Sequence, residues 1–169
     1  MTPTAADRPA VRRLVEASSA DVWSVLADGW SYPTWVVGAA RVRSVADTWP
    51  APDAHIEHSV GVWPLLLSDE TRVEESEPRR RLMLRAKGWP FGEAQVLIDL
   101  HDEGASCLVE IREDADSGPG RLVPMPLRQA AIQARNTETL RRLALLAERR
   151  DPDGRPLRDR TREGGTAPR

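Results

Sequence analysis

The run Leu127-Arg128-Gln129-Ala130-Ala131-Ile132-Gln133-Ala134-Arg135-Asn136-Thr137-Glu138-Thr139-Leu140-Arg141-Arg142-Leu143-Ala144-Leu145-Leu146-Ala147-Glu148-Arg149-Arg150 is the longest helical pattern in the chain, because no Pro or Gly breaks it. At roughly 100° per residue, Leu140, Leu143, Ala144 and Ala147 share one face, while Arg135, Glu138, Arg141, Arg142, Glu148 and Arg149 lie off its centre. Such a helix turns an apolar stripe toward a core. Carried back toward the N-terminus, the same stripe takes in Ile132 but also Gln129, Gln133, Asn136 and Thr137. Burying an amide without a partner costs about 1–3 kcal/mol, so the polar half has two readings. Either it lies over solvent, or it roofs a pocket in which water or a polar-tipped ligand satisfies the amides.

Upstream, the chain reads as the surface that receives this helix. Period-two alternation predicts strands over 40–49, 54–62, 66–76, 80–88, 93–101 and 105–114, separated by turn signals that each contain Pro or Gly. These are Pro50-Ala51-Pro52-Asp53, Trp63-Pro64, Glu77-Pro78, Trp89-Pro90 and Asp102-Glu103-Gly104. A first strand near 11–17 brings the number to about seven. Alternation assigns Leu82, Leu84, Ala86, Ala94, Val96, Ile98, Leu100, Cys107, Val109 and Ile111 to the core face. Arg85, Lys87, Gln95, Asp99, Glu110 and Arg112 fall on a solvated outer face.

The 169 residues, 40% apolar and 30% charged, suit one domain with a substantial core. A lead-in over 1–10 and a tail over 151–169 are poor in apolar residues and read as disordered. The balance of 24 basic and 26 acidic residues gives a net charge of −2, with signs interspersed, so no face for nucleic acid is advertised. No window is apolar enough for a membrane span, and the single Cys reads as a small buried hydrophobe. A cytoplasmic location is the expectation.

Near the N-terminus, Ala17-Ser18-Ser19-Ala20-Asp21-Val22-Trp23-Ser24-Val25-Leu26-Ala27-Asp28 offers an N-cap followed by a short helix. A second helix starts near Ser31 with Tyr32-Pro33-Thr34-Trp35 as its first turn. These two segments resemble the opening of the polyketide cyclase/dehydrase and lipid-transfer superfamily (START-like, SRPBCC). The resemblance covers residues 11–150 and implies a helix-grip fold of the α+β class. In it a curved antiparallel sheet wraps a long C-terminal helix, with two short N-terminal helices, around a ligand cavity. It marks a fold and no single reaction.

Chemistry-bearing residues are sparse. His55 and His58 are an odd number apart in a strand, so they face opposite sides and cannot chelate one metal together. Neither metal-site spacing nor a phosphate-binding glycine motif occurs, so no metal and no cofactor is expected. His58 shares parity with Ile56 and Val60 and points inward; Glu113 and Asp69 are inward carboxylates of lesser weight. Trp49, Trp63 and Trp89 each precede a Pro at a strand end, either as mouth aromatics or as plugs of the core ends. The expected ligand-binding set is Trp35, His58, Trp63, Trp89, Gln133 and Asn136, around a small hydrophobic or aromatic molecule. An aromatase/cyclase-like enzyme using acid/base catalysis and a protein-interaction module are the alternatives, and the oligomeric state is open.

Overall fold

The computed structural model describes residues 7–62, 65–88, 92–115, 117–118 and 122–149. The elements run β1 (Val11–Val15), α1 (Ser19–Leu26), one 3-10 turn (Gly29–Ser31), α2 (Tyr32–Trp35), β2 (Ala39–Val45), β3 (His55–Val62), β4 (Leu65–Glu77), β5 (Arg81–Gly88), β6 (Gly92–Asp102), β7 (Cys107–Ala115) and α3 (Met125–Ala147). The strands form one seven-stranded antiparallel sheet in the order β1-β7-β6-β5-β4-β3-β2. From β2 to β7 it is a plain meander, and β1 closes the far edge beside β7. This is the helix-grip arrangement of the α+β class, with α3 held against β1, β7, α1 and α2.

Local chemistry explains the element ends. Ser18 accepts from the Asp21 backbone N–H at 3.2 Å, and the Asp21 carboxylate accepts from the Ser18 N–H at 3.3 Å. This capping box satisfies two donors that the first turn of α1 leaves unpaired. Pro33 sits in the first turn of α2, where its missing N–H costs nothing. In β4 the register slips between Val73↔Leu84 and Glu75↔Met83, so Glu74 is a bulge that bends the strand. The long helix begins at Met125 and ends at Ala147, shifted by about half a turn from the expected 127–150.

Alternation places the core as expected on β5, β6 and β7. Leu82, Leu84, Ile98, Leu100, Cys107, Val109 and Ile111 are buried, and Leu140, Leu143, Ala144 and Ala147 of α3 close over them. Each fully buried Leu or Ile stabilises the fold by about 1.5–3 kcal/mol, so this half of α3 is the anchor of the helix. Burial also raises the pKa of the Cys107 thiol, as suits a small core side chain.

The structure corrects one expectation and narrows two others. Asp99 and Glu110, assigned to a solvated outer face, are buried, because arginines lie across them. Arg81 reaches Asp99 at 2.7 Å and Arg112 bridges Asp99 at 3.1 Å and Glu110 at 2.6 Å, while Arg12 pairs with Glu110 from β1. Burial opposes the charge on Glu110, but Arg12 and Arg112 outweigh it and hold its pKa below the ordinary carboxylate value. Second, Trp49 is a plug and not a mouth residue, since its indole N–H donates to the Leu26 carbonyl at 3.1 Å and its ring packs on the core. Third, Arg8, in the segment read as lead-in, pairs with Asp114 at the end of β7. Residues 1–6 of that lead-in and the tail over 151–169 lie outside the described residues.

Gly29 opens the 3-10 turn, where a Cβ would sit 2.6 Å from Val45 Cγ1 and 3.2 Å from Trp49 Cδ1. Valine is stiff about χ1, so the clash has no cheap relief. Gly29→Ala is expected to lower stability by about 1–3 kcal/mol in a denaturant titration; an unchanged midpoint would show that this corner has slack.

Candidate functional site

Side-chain size falls along the concave face of the sheet. On β5 the inward residues run Leu82, Leu84, Ala86, and on β6 they run Leu100, Ile98, Val96, Ala94, with Leu82↔Ile98, Leu84↔Val96 and Ala86↔Ala94 in register. Both strands therefore taper in the same direction, toward the first half of α3. On β7 the inward run Val109, Ile111, Glu113 turns from aliphatic to charged in the same direction. The helix changes with it, from Leu140 and Leu143 to Asn136 and Arg135. Small residues under a helix held at fixed height leave space, and a cavity of about 410 Å³ lies there. Its walls include Val60, Leu84, Ala86, Ala94, Val96 and Ile98, with Trp35, Tyr32 and Val36 from the α2 side.

Polar groups in this cavity are of two kinds. Those under α3 are paired: Glu113, at the end of β7, accepts from Asn136 Nδ2 at 3.1 Å and pairs with Arg135. Next to it, Asp114 accepts from Arg128 at 3.1 Å and from Gln129 Nε2 at 3.3 Å. The first half of α3 is thus tied to β7 by polar contacts where the second half is held by apolar burial. Asn136 was expected to find its partner in ligand or water; Glu113 supplies one from the protein.

The second kind lies on β3, β4 and α2. His58 and Asp69 are direct partners across β3 and β4, and both are buried and line the cavity. His58 Nε2 is 2.9 Å from Thr71 Oγ1, which is 3.1 Å from the Tyr32 hydroxyl. The Tyr32 ring stacks on the His58 ring, centroids 5.2 Å apart, and meets Trp35 edge-on at 5.4 Å. Burial holds the His58 pKa below its ordinary value, with the Ser59 backbone opposing and the Arg43 charge adding. The ring is therefore neutral at neutral pH. Burial pushes the Asp69 carboxyl up, against a hydrogen bond from the Glu70 N–H and the charge of Lys87. Among the described residues, three buried polar atoms here lack hydrogen-bond partners: His58 Nδ1, Asp69 Oδ2 and Trp35 Nε1.

The chain matches the model of a family described as polyketide cyclase/dehydrase and lipid transport over residues 9–148. It belongs to this family. Among solved structures, DynU16, a protein of the dynemicin biosynthetic locus, shares 22% identity at a TM-score of 0.57 over 80% of this chain and 45% of that one. CalU16 from Micromonospora echinospora is 15% identical, with a TM-score of 0.57 over 85% of this chain and 76% of its own. One similar structure is the di-domain aromatase/cyclase StfQ of the steffimycin pathway, at 12% identity and a TM-score of 0.64 over 83% of this chain and 50% of that one. The chain thus spans about half the length of DynU16 and of StfQ. At these identities the likeness shows the fold alone. No curated protein is a significant match to the chain.

In this family member the structure brings Trp35, His58 and Asn136 to one cavity. Gln133 does not join them: it is exposed, although at three residues before Asn136 it lies on the same stripe of the helix. Trp63 and Trp89 lie outside the described residues. Tyr32 and Thr71 were not singled out from sequence, although Thr71 shares the inward parity of Asp69 and Val73. Among the described residues no group of three His, Cys, Asp or Glu side chains is placed to hold a metal ion, and no helix is long and apolar enough to cross a membrane.

Two predictions follow from this geometry. Tyr32 is the single tyrosine of the chain, so tyrosinate absorbance reports it alone. Burial, opposed by the Thr71 hydrogen bond, pushes its pKa to about 12, against about 10 for a free tyrosine. The unfolded chain then ionises first as pH rises, so stability is full below about 10 and is lost through the window up to about 12. Tyr32→Phe is expected to abolish that loss, and an absorbance midpoint near 10 would contradict the buried hydroxyl. For Asn136→Leu, removal of a partner of buried Glu113 is expected to cost about 1–3 kcal/mol, measured by denaturant titration. A stability gain would mean that Arg135 alone satisfies the carboxylate.

Proposed function

We propose that the chain binds a small, mainly apolar ligand, aromatic or otherwise hydrophobic, in the cavity between the sheet and the first half of α3. The observation that carries this is the coincidence of apolar walls with three partnerless buried polar atoms in residues lining one cavity. Buried polar groups in folded proteins are almost always bonded, and leaving one unmade costs about 1–3 kcal/mol. Three such atoms in a single cavity are supported best as contacts reserved for a ligand. Trp35 and the Tyr32–His58 stack supply an aromatic side, and the aliphatic residues of β3 to β6 supply the rest. The family's lipid transport and cyclase members give the same reading its context.

A second reading has one observation in its favour. The Tyr32–Thr71–His58 chain of hydrogen bonds presents a neutral imidazole to the cavity, which suits a general base in chemistry like that of an aromatase/cyclase. A matching acid is harder to find, since Glu113 is engaged by Arg135 and Asn136. Binding is accordingly the primary reading.

The test fills the cavity. Ala86 lines it beside Ala94, and Ala86→Trp should weaken binding of a neutral hydrophobic dye such as Nile red by about tenfold or more, since it removes the volume the dye occupies. Fluorescence titration measures this, and a thermal melt checks that the fold is kept. Equal affinity in a folded variant would place the binding elsewhere and end this proposal.

A further inference from the structure

The cavity has two polar ends, and among the described residues only the end at Asp69 has a fully buried carboxylate oxygen without a partner. At the α3 end, the Glu113 carboxylate already takes Arg135 and Asn136. At the other end, Asp69 Oδ1 accepts from the Glu70 N–H at 2.8 Å, while Oδ2 is buried and has no partner. Asp69 is 6% exposed, so solvent does little to satisfy that oxygen. Lys87, a cation lining the same cavity, is bonded to Glu70 at 3.2 Å on the other side. The β4–β5 ladder ends at Thr71↔Ala86, so among the described residues Asp69 is flanked by a ladder partner on β3 alone. That partner is His58, whose Nδ1 is also free of partners.

We infer that Asp69 determines specificity at this site by accepting a hydrogen bond from a neutral O–H or N–H group on the ligand, with the rest of the ligand lying along the apolar walls. This rests on the cavity reading above and adds the chemistry of the ligand's polar end. The requirement for a donor follows from the acceptor: an ionised carboxylate has lone pairs and no proton to give. Neutrality of that donor follows from the other charges around the cavity. Arg135 and Lys87 line it together with Glu113 and Asp69, so the four formal charges already sum to zero, and an uncharged donor leaves that balance undisturbed. Trp35 Nε1, a donor without a partner, adds a complementary need for an acceptor on the same molecule. A ligand hydroxyl carries both kinds of group, since it donates and accepts, and it supplies the donor that Asp69 needs.

Naphthol and its methyl ether separate the two roles, since methylation deletes the donor and keeps the ring and an acceptor oxygen. Titration calorimetry on the full chain is expected to show naphthol binding about tenfold or more tighter than methoxynaphthalene, the range for a hydrogen bond to a charged group. In Asp69→Leu that preference is expected to fall below about threefold, through loss of naphthol affinity with the ether bound as well or better. Asp69→Asn, which retains an acceptor oxygen, is expected to lie between. A melting curve on each variant confirms folding; if Asp69→Leu does not fold, the comparison of Asp69→Asn with the unsubstituted chain decides by the same ratio. Equal binding of both compounds by the unsubstituted chain, or a preference that survives removal of the carboxylate, would overturn the role of Asp69 and leave the cavity reading standing. Binding of neither compound would overturn both. Tighter binding of naphthylmethylamine than of naphthol, lost in Asp69→Leu, would overturn the neutral donor in favour of an ammonium group.

Discussion

A rigid helix anchored at one end carries its other end over the sheet at a height it cannot adjust. Leu140, Leu143, Ala144 and Ala147 fix the second half of α3 against the core, and 23 helical residues then reach about 35 Å. Whatever lies under the first half must fit a gap set elsewhere. Side chains of native size would fill it, as Leu82 and Leu100 do under the anchored half. Ala86 and Ala94 do not, and because they are register partners their small size adds up at one place. The cavity is therefore a consequence of two tapering strands and one straight rod. It needs no unusual backbone.

The same constraint explains why the roof is polar. A helix half that stands off the sheet cannot be held by apolar burial, so it is held by side chains long enough to cross the space. Arg128 and Gln129 reach Asp114, and Arg135 and Asn136 reach Glu113. Two adjacent carboxylates at the end of β7 thus carry the attachment of two turns of helix. Arg135 is partly exposed, where an ion pair is worth little, but Glu113 is buried and loses its compensation if either partner goes. Polar contacts under α3 are scaffold in this fold, and the fully buried polar atoms without partners are on the opposite wall.

How far the residues disclosed this depends on the period of each element. Strand alternation placed the inward sets of β5, β6 and β7, because one residue of slip would move a whole face into solvent. The 3.6 period placed the apolar half of α3 for the same reason. Polar residues on these faces were harder, since periodicity says which way a side chain points and not what it meets. Asn136 and Gln133 lie on the same extended stripe, yet one is buried on Glu113 and the other exposed, because the stripe is wider than the contact. Asp99 and Glu110 had outer-face parity and are nonetheless buried, since arginines from β1, β5 and β7 cover them. No single-strand pattern contains that information. Thr71 and Tyr32 come from distant segments, and their link to His58 exists only in three dimensions.

The contrast between the two faces of the sheet bears on which carboxylates are structural. On the outer face every buried acid sits among arginines: Glu110 has Arg12 and Arg112, and Asp99 has Arg81 and Arg112. Inside, Glu113 is matched by Arg135. Among these acids of the described residues, Asp69 is the one with a fully buried oxygen that has no partner. A buried carboxylate oxygen left without a donor works against folding. The other acids show the arrangement that favours stability; Asp69 departs from it at a cavity wall, beside a histidine that departs from it too. Residues that break the rule obeyed by the rest of the fold are where function is to be sought. Here the two are a cross-strand pair on one face, close enough for a single small molecule to satisfy both.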